Sequence, residues 1–174
     1  ANTEEAIFRT YLPADCSRIT LLWARINREL VPAHMKQEFE QYISHELRSE
    51  LGKLQNVFSP SKRNAFWVVE IGDAIIGTFG IERQDENRTE LRRMYLDRDY
   101  RGQGIAQRML RCAEAQARSS GFSTMTLSTA EVQEAALAFY RKSGYRLVRT
   151  EIADSMSKKT VGGGLTRYYF ERNL

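Results

Sequence analysis

The chain has 174 residues, a length that fits a single domain over residues 1–174 with a sizeable core. Hydrophobic residues make up 42% and charged residues 28%, and no apolar run approaches the roughly 20 residues needed to cross a bilayer, which excludes membrane-spanning classes. The formal net charge of +4 permits a polyanionic partner, but the basic residues are dispersed without a reading-helix motif, which disfavours nucleic acid. The first five residues lack the basic-then-apolar order of a secretory signal, so a cytoplasmic location is expected.

The two cysteines, Cys16 and Cys112, fall in predicted helices. They show no C-x-x-C or Cys/His spacing that could hold a metal ion or build a disulfide framework. Free thiols and no bound metal are therefore expected.

The first half of the chain predicts one strand, two amphipathic helices and then a meander of strands. The strand is expected over Ile7 to Leu12, with Asp15 as a candidate N-cap of the helix that follows. That helix runs to Pro32, and the second runs from Ala33 to about Leu51, because apolar residues recur at helical spacing in both. Three β-rich runs then predict an antiparallel meander over residues 65–71, 74–83 and 89–97.

The second half predicts helices alternating with strands. In chain order these are a helix over 105–120, a strand over 123–128, a helix over 131–143, a strand over 145–150, a polar loop to Gly164 and a last strand over 166–172.

A glycine loop lies between the strand ending near Asp97 and the helix that begins at Ile105. The first turn of a helix has unpaired N–H groups and a partial positive charge, so it can bind a phosphate. Gly102 and Gly104 let an anion come close, and Arg101 adds positive charge. Two interpretations stay open, a tight strand-to-helix turn or a phosphate site. The G-x-G-x-x-G and Walker A patterns are both absent.

In this context the chain closely resembles the GNAT superfamily of N-acetyltransferases, whose pyrophosphate loop reads Arg/Gln-x-x-Gly-x-Gly/Ala. Arg101, Gly104 and Ala106 match that loop. The resemblance also includes the preceding strand, residues 90–96, and the later stretch over residues 136–145, which reads Ala-Leu-Ala-Phe-Tyr-Arg-Lys-Ser-Gly-Tyr. It covers roughly residues 65–150.

The resemblance implies a mixed α/β (α+β) fold, with a mainly antiparallel sheet of six to seven strands flanked by about four helices. It further implies that acetyl-CoA lies in a V-shaped gap between the strands of residues 89–97 and 123–128. Unpaired backbone groups of Met94 and Leu96 would then bind the pantetheine arm, as an added strand would. The pyrophosphate would be bound by backbone amides of the loop and first turn: Gln103, Gly104, Ile105 and Ala106.

Acetyl transfer to an amine needs a base for the amine and an acid for the leaving thiolate. Tyr140 is the candidate acid, because a phenol can donate a proton without carrying charge, and the resemblance assigns it the same role. The alternative is an aromatic residue that only packs in the core. Glu90 is the candidate base, and a solvent-facing glutamate beside a turn is its alternative.

The family often has an asparagine where this chain has Gln133. Its side chain could bind the pantetheine arm or cap the helix. Trp23, Phe39 and Tyr42 of the first helices could belong to the core or to the acceptor pocket.

The expected activity is transfer of acetyl from acetyl-CoA to a primary amine, on a small molecule, by direct attack in a ternary complex. The alternatives are acetylation of a protein N-terminus or lysine, and a CoA-binding regulatory module without catalysis. A homodimer formed through the last strands, near residues 168–170, is compatible with the sequence, and so is a monomer in which the same edge is covered.

Overall fold

A computed structural model describes residues 5–157 and 160–174. Residues 1–4 lie outside the described residues. They make up most of the N-terminal segment in which the sequence predicts no secretory signal. Lys158 and Lys159 of the predicted polar loop also lie outside the described residues.

A seven-stranded sheet forms the centre of the molecule, in the order β1-β2-β3-β4-β5-β7-β6. The strands are β1 Ile7–Thr10, β2 Ala65–Ile71, β3 Ala74–Arg83, β4 Arg88–Leu96, β5 Thr124–Ala130, β6 Arg146–Ala153 and β7 Leu165–Asn173. All neighbouring strands are antiparallel except β4 and β5, which are parallel. The predicted mixed, mainly antiparallel fold is therefore confirmed.

Helices cover both faces of this sheet. They are α1 Cys16–Glu29, the composite α2 (Lys36–Gln41, Tyr42–Leu47 and Arg48–Leu51), the short α3 Leu54–Val57, α4 Ile105–Ser119 and α5 Glu134–Lys142. The prediction of one regular helix from Ala33 to Leu51 was wrong in detail, since a 3-10 turn precedes α2 and its middle segment, Tyr42–Leu47, is π-helical. Apolar periodicity does not reveal one wide turn, because the buried stripe continues through it.

Several predicted boundaries shift because of tertiary pairing. β5 continues to Ala130, which pairs with Arg167 of β7, so the helix predicted from Glu131 begins only at Glu134. At the other end of the chain, β1 stops at Thr10. Asp15 is the residue before α1, but its carboxylate makes no capping bond to that helix and instead accepts from the N–H of Leu12.

Two hydrophobic cores lie on opposite sides of the sheet. One packs α4 against it through Ile105, Met109 and Leu110, and also contains Tyr140 of α5. The other packs α1 and α2 against it and contains the completely buried Trp23.

A β-bulge in β4 precedes the point where the sheet opens. Thr78 of β3 pairs with Tyr95, whereas Gly80 pairs with Arg92, so β4 carries one extra residue. Arg93 within the bulge has φ of 49°, a left-handed conformation that is uncommon outside glycine. β4 pairs with β5 only from Arg88 to Glu90, after which the two strands diverge.

The free edges of the sheet belong to β1 and β6. β7 lies between β5 and β6, so both of its edges pair within the chain. A homodimer through the last strands stays a prediction. β6 is the exposed strand at that end, with Leu147, Val148 and Ile152 open to solvent. Within residues 5–157 and 160–174, no helix combines the length and the apolar character that a bilayer crossing requires.

Candidate acetyl-transfer site

A cavity of about 120 Å³ lies where β4 and β5 diverge. Its walls come from β4, from the end of β5, from α1 and α2, from the start of α5 and from the segment before β7. Both predicted catalytic residues, Glu90 and Tyr140, line it, as do Met94 and Gln133. The fold thus brings together residues that are 50 positions apart along the chain.

The glycine loop lies at the N-terminus of α4, as the sequence predicts. Gly102 has φ of 75° and Gly104, the N-cap, has φ of 87°. At both positions a Cβ atom would meet nothing within 4 Å, so the space above the loop is open. Gly104 has no side chain to cap the first-turn amides of Ile105 and Ala106, which leaves those donors suited to an anion. The loop therefore has the shape and polarity that a pyrophosphate requires.

Arg101 has a more restricted role than its charge alone suggests. Its Nε donates a hydrogen bond to the carbonyl of Leu96 at 2.9 Å, and its Nη2 lies 3.8 Å from Glu29. The Arg101 guanidinium therefore links the end of β4 to the glycine loop, and its positive charge lies next to that loop. The side chain of Gln103 also bonds within the loop, to the carbonyl of Asp99 at 3.3 Å.

The two backbone positions predicted to bind the pantetheine arm differ. Met94 lies in the bulge, where it has no partner in the β3 register, and beyond the last β4–β5 pair. Leu96 pairs with Gly77 of β3, and its carbonyl already accepts the bond from Arg101. Met94 is thus the better placed of the two, whereas Leu96 has its carbonyl engaged.

Tyr140 is buried at the cavity wall on α5. Its ring packs 5.3 Å from Phe139, 6.0 Å from Tyr145 and 6.5 Å from Phe170, centroid to centroid. Burial raises the pKa of the Tyr140 phenol, and the nearby Tyr95 raises it further. Tyr140 is therefore a core aromatic that also lines the cavity, so its packing does not exclude the predicted role as proton donor.

Glu90 occupies the last paired position of β4 before the strands diverge, opposite Thr126 of β5. Its side chain is buried, which removes the alternative of a solvent-facing glutamate. One carboxylate oxygen lies 3.5 Å from Nε of Arg92, and the other accepts from Nε2 of Gln84 at 3.3 Å. The carboxylate is therefore held by Arg92 and Gln84 at the point where the cleft begins.

Gln133 lies between β5 and α5, and its side chain points back to the strand. Its Oε1 accepts from the Thr129 hydroxyl at 2.8 Å and from the Ala130 N–H at 3.0 Å, and it makes no side-chain cap on the helix. The capping alternative is wrong for this side chain. Gln133 lines the cavity, and its Nε2 group is a hydrogen-bond donor.

Sequence reasoning missed a buried charged network on the α2 side of the cleft. Arg92 pairs with Glu50 at 3.0 Å and with Glu82 at 2.7 Å. Arg93 pairs with the same Glu50 and donates to the Tyr42 hydroxyl at 2.8 Å. Burial raises the pKa of Tyr42. Two consecutive arginines inside a strand were the signal, because in a regular strand one of two neighbours faces inward.

Arg167 was also missed, although it lines the same cavity from β7. Two positions after the buried Leu165, it lies on the same inward face of the strand. That alternation was the available signal. Trp23 proves to be a core residue, whereas Phe39 and Tyr42 are both buried and in contact with the cavity.

The parallel strands β4 and β5 diverge, and a glycine loop joins β4 to α4. This combination defines the class of fold that the sequence resemblance implies. The model of the acetyltransferase (GNAT) family matches residues 23–145. The chain belongs to this family.

The chain is similar to several curated N-acetyltransferases. It is 28% identical over 116 residues to human (Homo sapiens) N-acetyltransferase 8B, covering 64% of this chain and 51% of that protein. It is 31% identical over 139 residues to the probable N-acetyltransferase camello of Xenopus tropicalis, covering 79% and 63%. It is 30% identical over 131 residues to the N-acetylaspartate synthetase of Danio rerio, covering 75% and 46%. The chain thus spans about half to just under two thirds of these relatives' lengths.

Solved structures show the same fold across almost the whole chain. A GNAT-family acetyltransferase from Staphylococcus aureus Mu50 superposes with a TM-score of 0.75 at 19% identity, covering 97% of this chain and 99% of that one. PaiA N-acetyltransferase from Thermoplasma acidophilum, in complex with coenzyme A, gives 0.72 at 17% identity, with coverage of 97% and 99%.

Proposed function

We propose that this chain transfers acetyl from acetyl-CoA to a primary amine of a small molecule, by direct attack within a ternary complex. The observation that carries the proposal is that Glu90 and Tyr140 line one cavity at the divergence of β4 and β5. A base and an acid on one cavity meet the two proton-transfer needs of the reaction.

The donor side of the cleft fits a CoA thioester. The open space above Gly102 and Gly104 and the uncapped first turn of α4 suit the pyrophosphate. The edge of β4 beyond Glu90 has backbone groups that β5 does not pair, which suits an amide-bearing arm. Acetyl-CoA supplies the activated acyl group, and PaiA N-acetyltransferase, which has the same fold, was solved in complex with coenzyme A.

Each catalytic residue has one proton to move. Glu90, directly or through water, accepts a proton from the ammonium group, so that a neutral nitrogen attacks the thioester carbonyl. As the carbon–nitrogen bond forms and the carbon–sulfur bond breaks, Tyr140 donates its phenolic proton to the leaving sulfur. The attacking nitrogen loses its second proton as the amide forms, and that proton returns the tyrosine to its neutral form. The proton held on Glu90 passes to solvent, so the net reaction releases one proton. The high pKa of the buried phenol keeps Tyr140 protonated until the leaving sulfur accepts the proton.

Direct attack is favoured over an acetyl-cysteine intermediate. Cys112 lies on α4 and is half-buried, and burial raises the pKa of its thiol. A nucleophilic cysteine needs the opposite environment, one that stabilises the thiolate. Cys16 is at the start of α1, and it is not among the cavity-lining residues.

The buried side chains that line the cavity support a small acceptor. Phe39 and Tyr42 of α2 and Thr160 and Val161 before β7 contribute buried side chains to its walls. A peptide would need a longer open groove along its backbone. The name of the Danio rerio relative, N-acetylaspartate synthetase, likewise denotes a small product.

The test is a thiol-release assay with acetyl-CoA against free amino acids, polyamines, aminoglycosides, aryl amines and peptides. We expect turnover with small amines and a large loss in Tyr140→Phe. Turnover confined to peptides would replace the proposal by protein acetylation. Tight acetyl-CoA binding without thiol release from any amine would replace it by a regulatory CoA-binding module.

A further inference from the structure

Arg167 is a buried cation on the acceptor side of the cleft. It lies on β7, where it pairs with Ala130 of β5 and Glu151 of β6. Its exposed fraction is only 8%, and it lines the cavity together with Glu90. Its inward neighbour Leu165 packs in the α1 and α2 core, so Arg167 faces that side of the sheet.

The hydrogen bonds of Arg167 leave most of its guanidinium without an acceptor. Its Nη2 donates to the Ser128 hydroxyl at 2.9 Å, and its Nε has no partner among the described residues. Among the residues that the structure describes, Arg167 has no carboxylate within the 4.0 Å of an ion pair. Its cross-strand neighbour Glu151 is engaged elsewhere, with Arg149 at 2.9 Å and the Tyr169 hydroxyl at 3.4 Å.

The other two arginines of the cavity wall differ in this respect. Arg92 and Arg93 share Glu50, and Arg92 also has Glu82 and Glu90 within ion-pair distance. Their charge is therefore balanced by acids of the chain itself. Tyr42, Tyr95, Tyr169 and Glu90 lie close enough to Arg167 to interact electrostatically with its charge.

A buried guanidinium without a counter-ion is unfavourable, because desolvation is not offset by a partner. The same desolvation lowers the pKa of Arg167 from its ordinary value. Arginine remains protonated in proteins, and its planar fork matches the two oxygens of a carboxylate. The buried Nε, which has no acceptor among the described residues, adds to the unmet donor capacity of this guanidinium.

The acyl donor does not account for this charge. The donor's phosphates belong at the loop before α4, whose first residue Ile105 packs in the core on the opposite side of the sheet. Arg167 shares its surroundings with Tyr42 of α2 and Tyr95 of β4. An anion that reaches it is therefore on the acceptor side.

We propose that Arg167 binds a carboxylate of the amine acceptor, so that the substrates are amino acids and their derivatives with a free carboxylate. This inference rests on the proposed function and gives its acceptor class. Arg167 is on this basis a specificity-determining residue, and it takes no part in proton transfer.

The experiment compares L-phenylalanine, L-leucine and L-methionine with their α-carboxamides, in which the amine stays and the negative charge is removed. Steady-state kinetics and calorimetric titration of the CoA-loaded protein are measured for wild type, Arg167→Gln and Arg167→Lys. We expect wild type to prefer the acids by about 100-fold or more in kcat/KM, because a site built for a polar group strongly rejects an analogue that lacks it. Arg167→Gln should reduce that preference to about threefold, mainly through KM, and Arg167→Lys should retain part of it.

Three measurements separate this role from others. Arg118→Gln removes the same charge from an exposed position on α4 and should leave the preference intact. Acetyl-CoA affinity should be unchanged in Arg167→Gln, which also shows that the variant folds. Equal rates on acids and amides in wild type would overturn the inference, as would an Arg167→Gln variant that loses acetyl-CoA affinity but keeps the preference. If no amine is acetylated, the proposed function fails, and the titrations still decide whether the carboxylate is bound through Arg167.

Discussion

The hydroxyl of Thr78 donates a hydrogen bond to the carbonyl of Arg93 across 2.9 Å, and it thereby ties β3 to the bulge of β4. The same hydroxyl accepts from Nε1 of the buried Trp23 at 2.9 Å. One completely buried side chain thus connects α1 to the residue with left-handed backbone, just beyond the divergence of β4 from β5.

Thr78→Val should lower the free energy of unfolding by about 2 kcal/mol or more, because it leaves two buried polar groups without partners. Urea denaturation measures the loss. Thr78→Ser keeps the hydroxyl and is the control, with a clearly smaller effect. Equal stability of the valine and serine variants would show that these hydrogen bonds do not support the bulge.

Tyr140→Phe should reduce kcat by about 100-fold or more, which is the usual contribution of a positioned acid. The KM for acetyl-CoA should change little, because the phenylalanine ring keeps the packing with Phe139, Tyr145 and Phe170. Steady-state thiol release measures both constants. A variant with normal kcat would restrict Tyr140 to its packing role.

Glu90→Gln should lower kcat/KM by about 100-fold near neutral pH, where a lysine-like amine is almost entirely protonated. The deficit relative to wild type should shrink as the pH rises toward the amine pKa of about 10.4, because the neutral amine then no longer needs the base.

Glu82→Gln is the matched control for Glu90. It also removes a partner of Arg92, but Glu82 is not among the residues that line the cavity. A deficit of the same size in Glu82→Gln would mean that the charged network acts as a unit and that Glu90 has no separate role.

Gly104→Ala should raise the Kd for acetyl-CoA and lower the free energy of unfolding by about 1 kcal/mol, since alanine is strained at φ of 87°. Gly72→Ala is the control: its φ is 58°, it lies in the β2–β3 turn, and its Cβ would also meet nothing within 4 Å. It should have the same kind of stability cost without any change in the titrated acetyl-CoA affinity. Loss of affinity in both variants would mean that strain alone is responsible.

Asp15→Asn should destabilise the protein at neutral pH and much less in acid. The Asp15 carboxylate pairs with Arg9 at 2.7 Å and with Arg18 at 2.9 Å, and the bond from Arg9 is the largest cause that lowers its pKa. A lowered folded-state pKa gives stability that is fully present above the unfolded value of about 3.9 and is lost as the pH falls through the folded value. Urea denaturation of both proteins, from pH 7 to the lowest pH at which wild type folds, measures the difference. A constant difference would contradict this assignment.

The sequence was most informative where structure follows from neighbouring residues. The glycine loop and the helix of Tyr140 depend on short patterns. The fold places the loop as its pattern indicates, and the helix begins at Glu134 instead of Glu131. Arg92, Arg93 and Arg167 depend on distant pairings instead. The bulge in β4 directs the first two toward Glu50, and the insertion of β7 between β5 and β6 brings Arg167 to the cavity. Such relations between remote segments are not encoded in local periodicity.

The short pairing of β4 with β5 has a mechanical consequence. Among the described residues, three register pairs from Arg88 to Glu90 connect the four strands on one side of the sheet with the three on the other. A ligand that forms hydrogen bonds with both β4 and β5 beyond Glu90 adds connections between these two parts of the sheet, which few strand pairs join there. At 100 times its Kd such a ligand adds about 2.7 kcal/mol to the free energy of unfolding. Hydrogen exchange at the β4–β5 junction should then slow more than exchange at the edge strands.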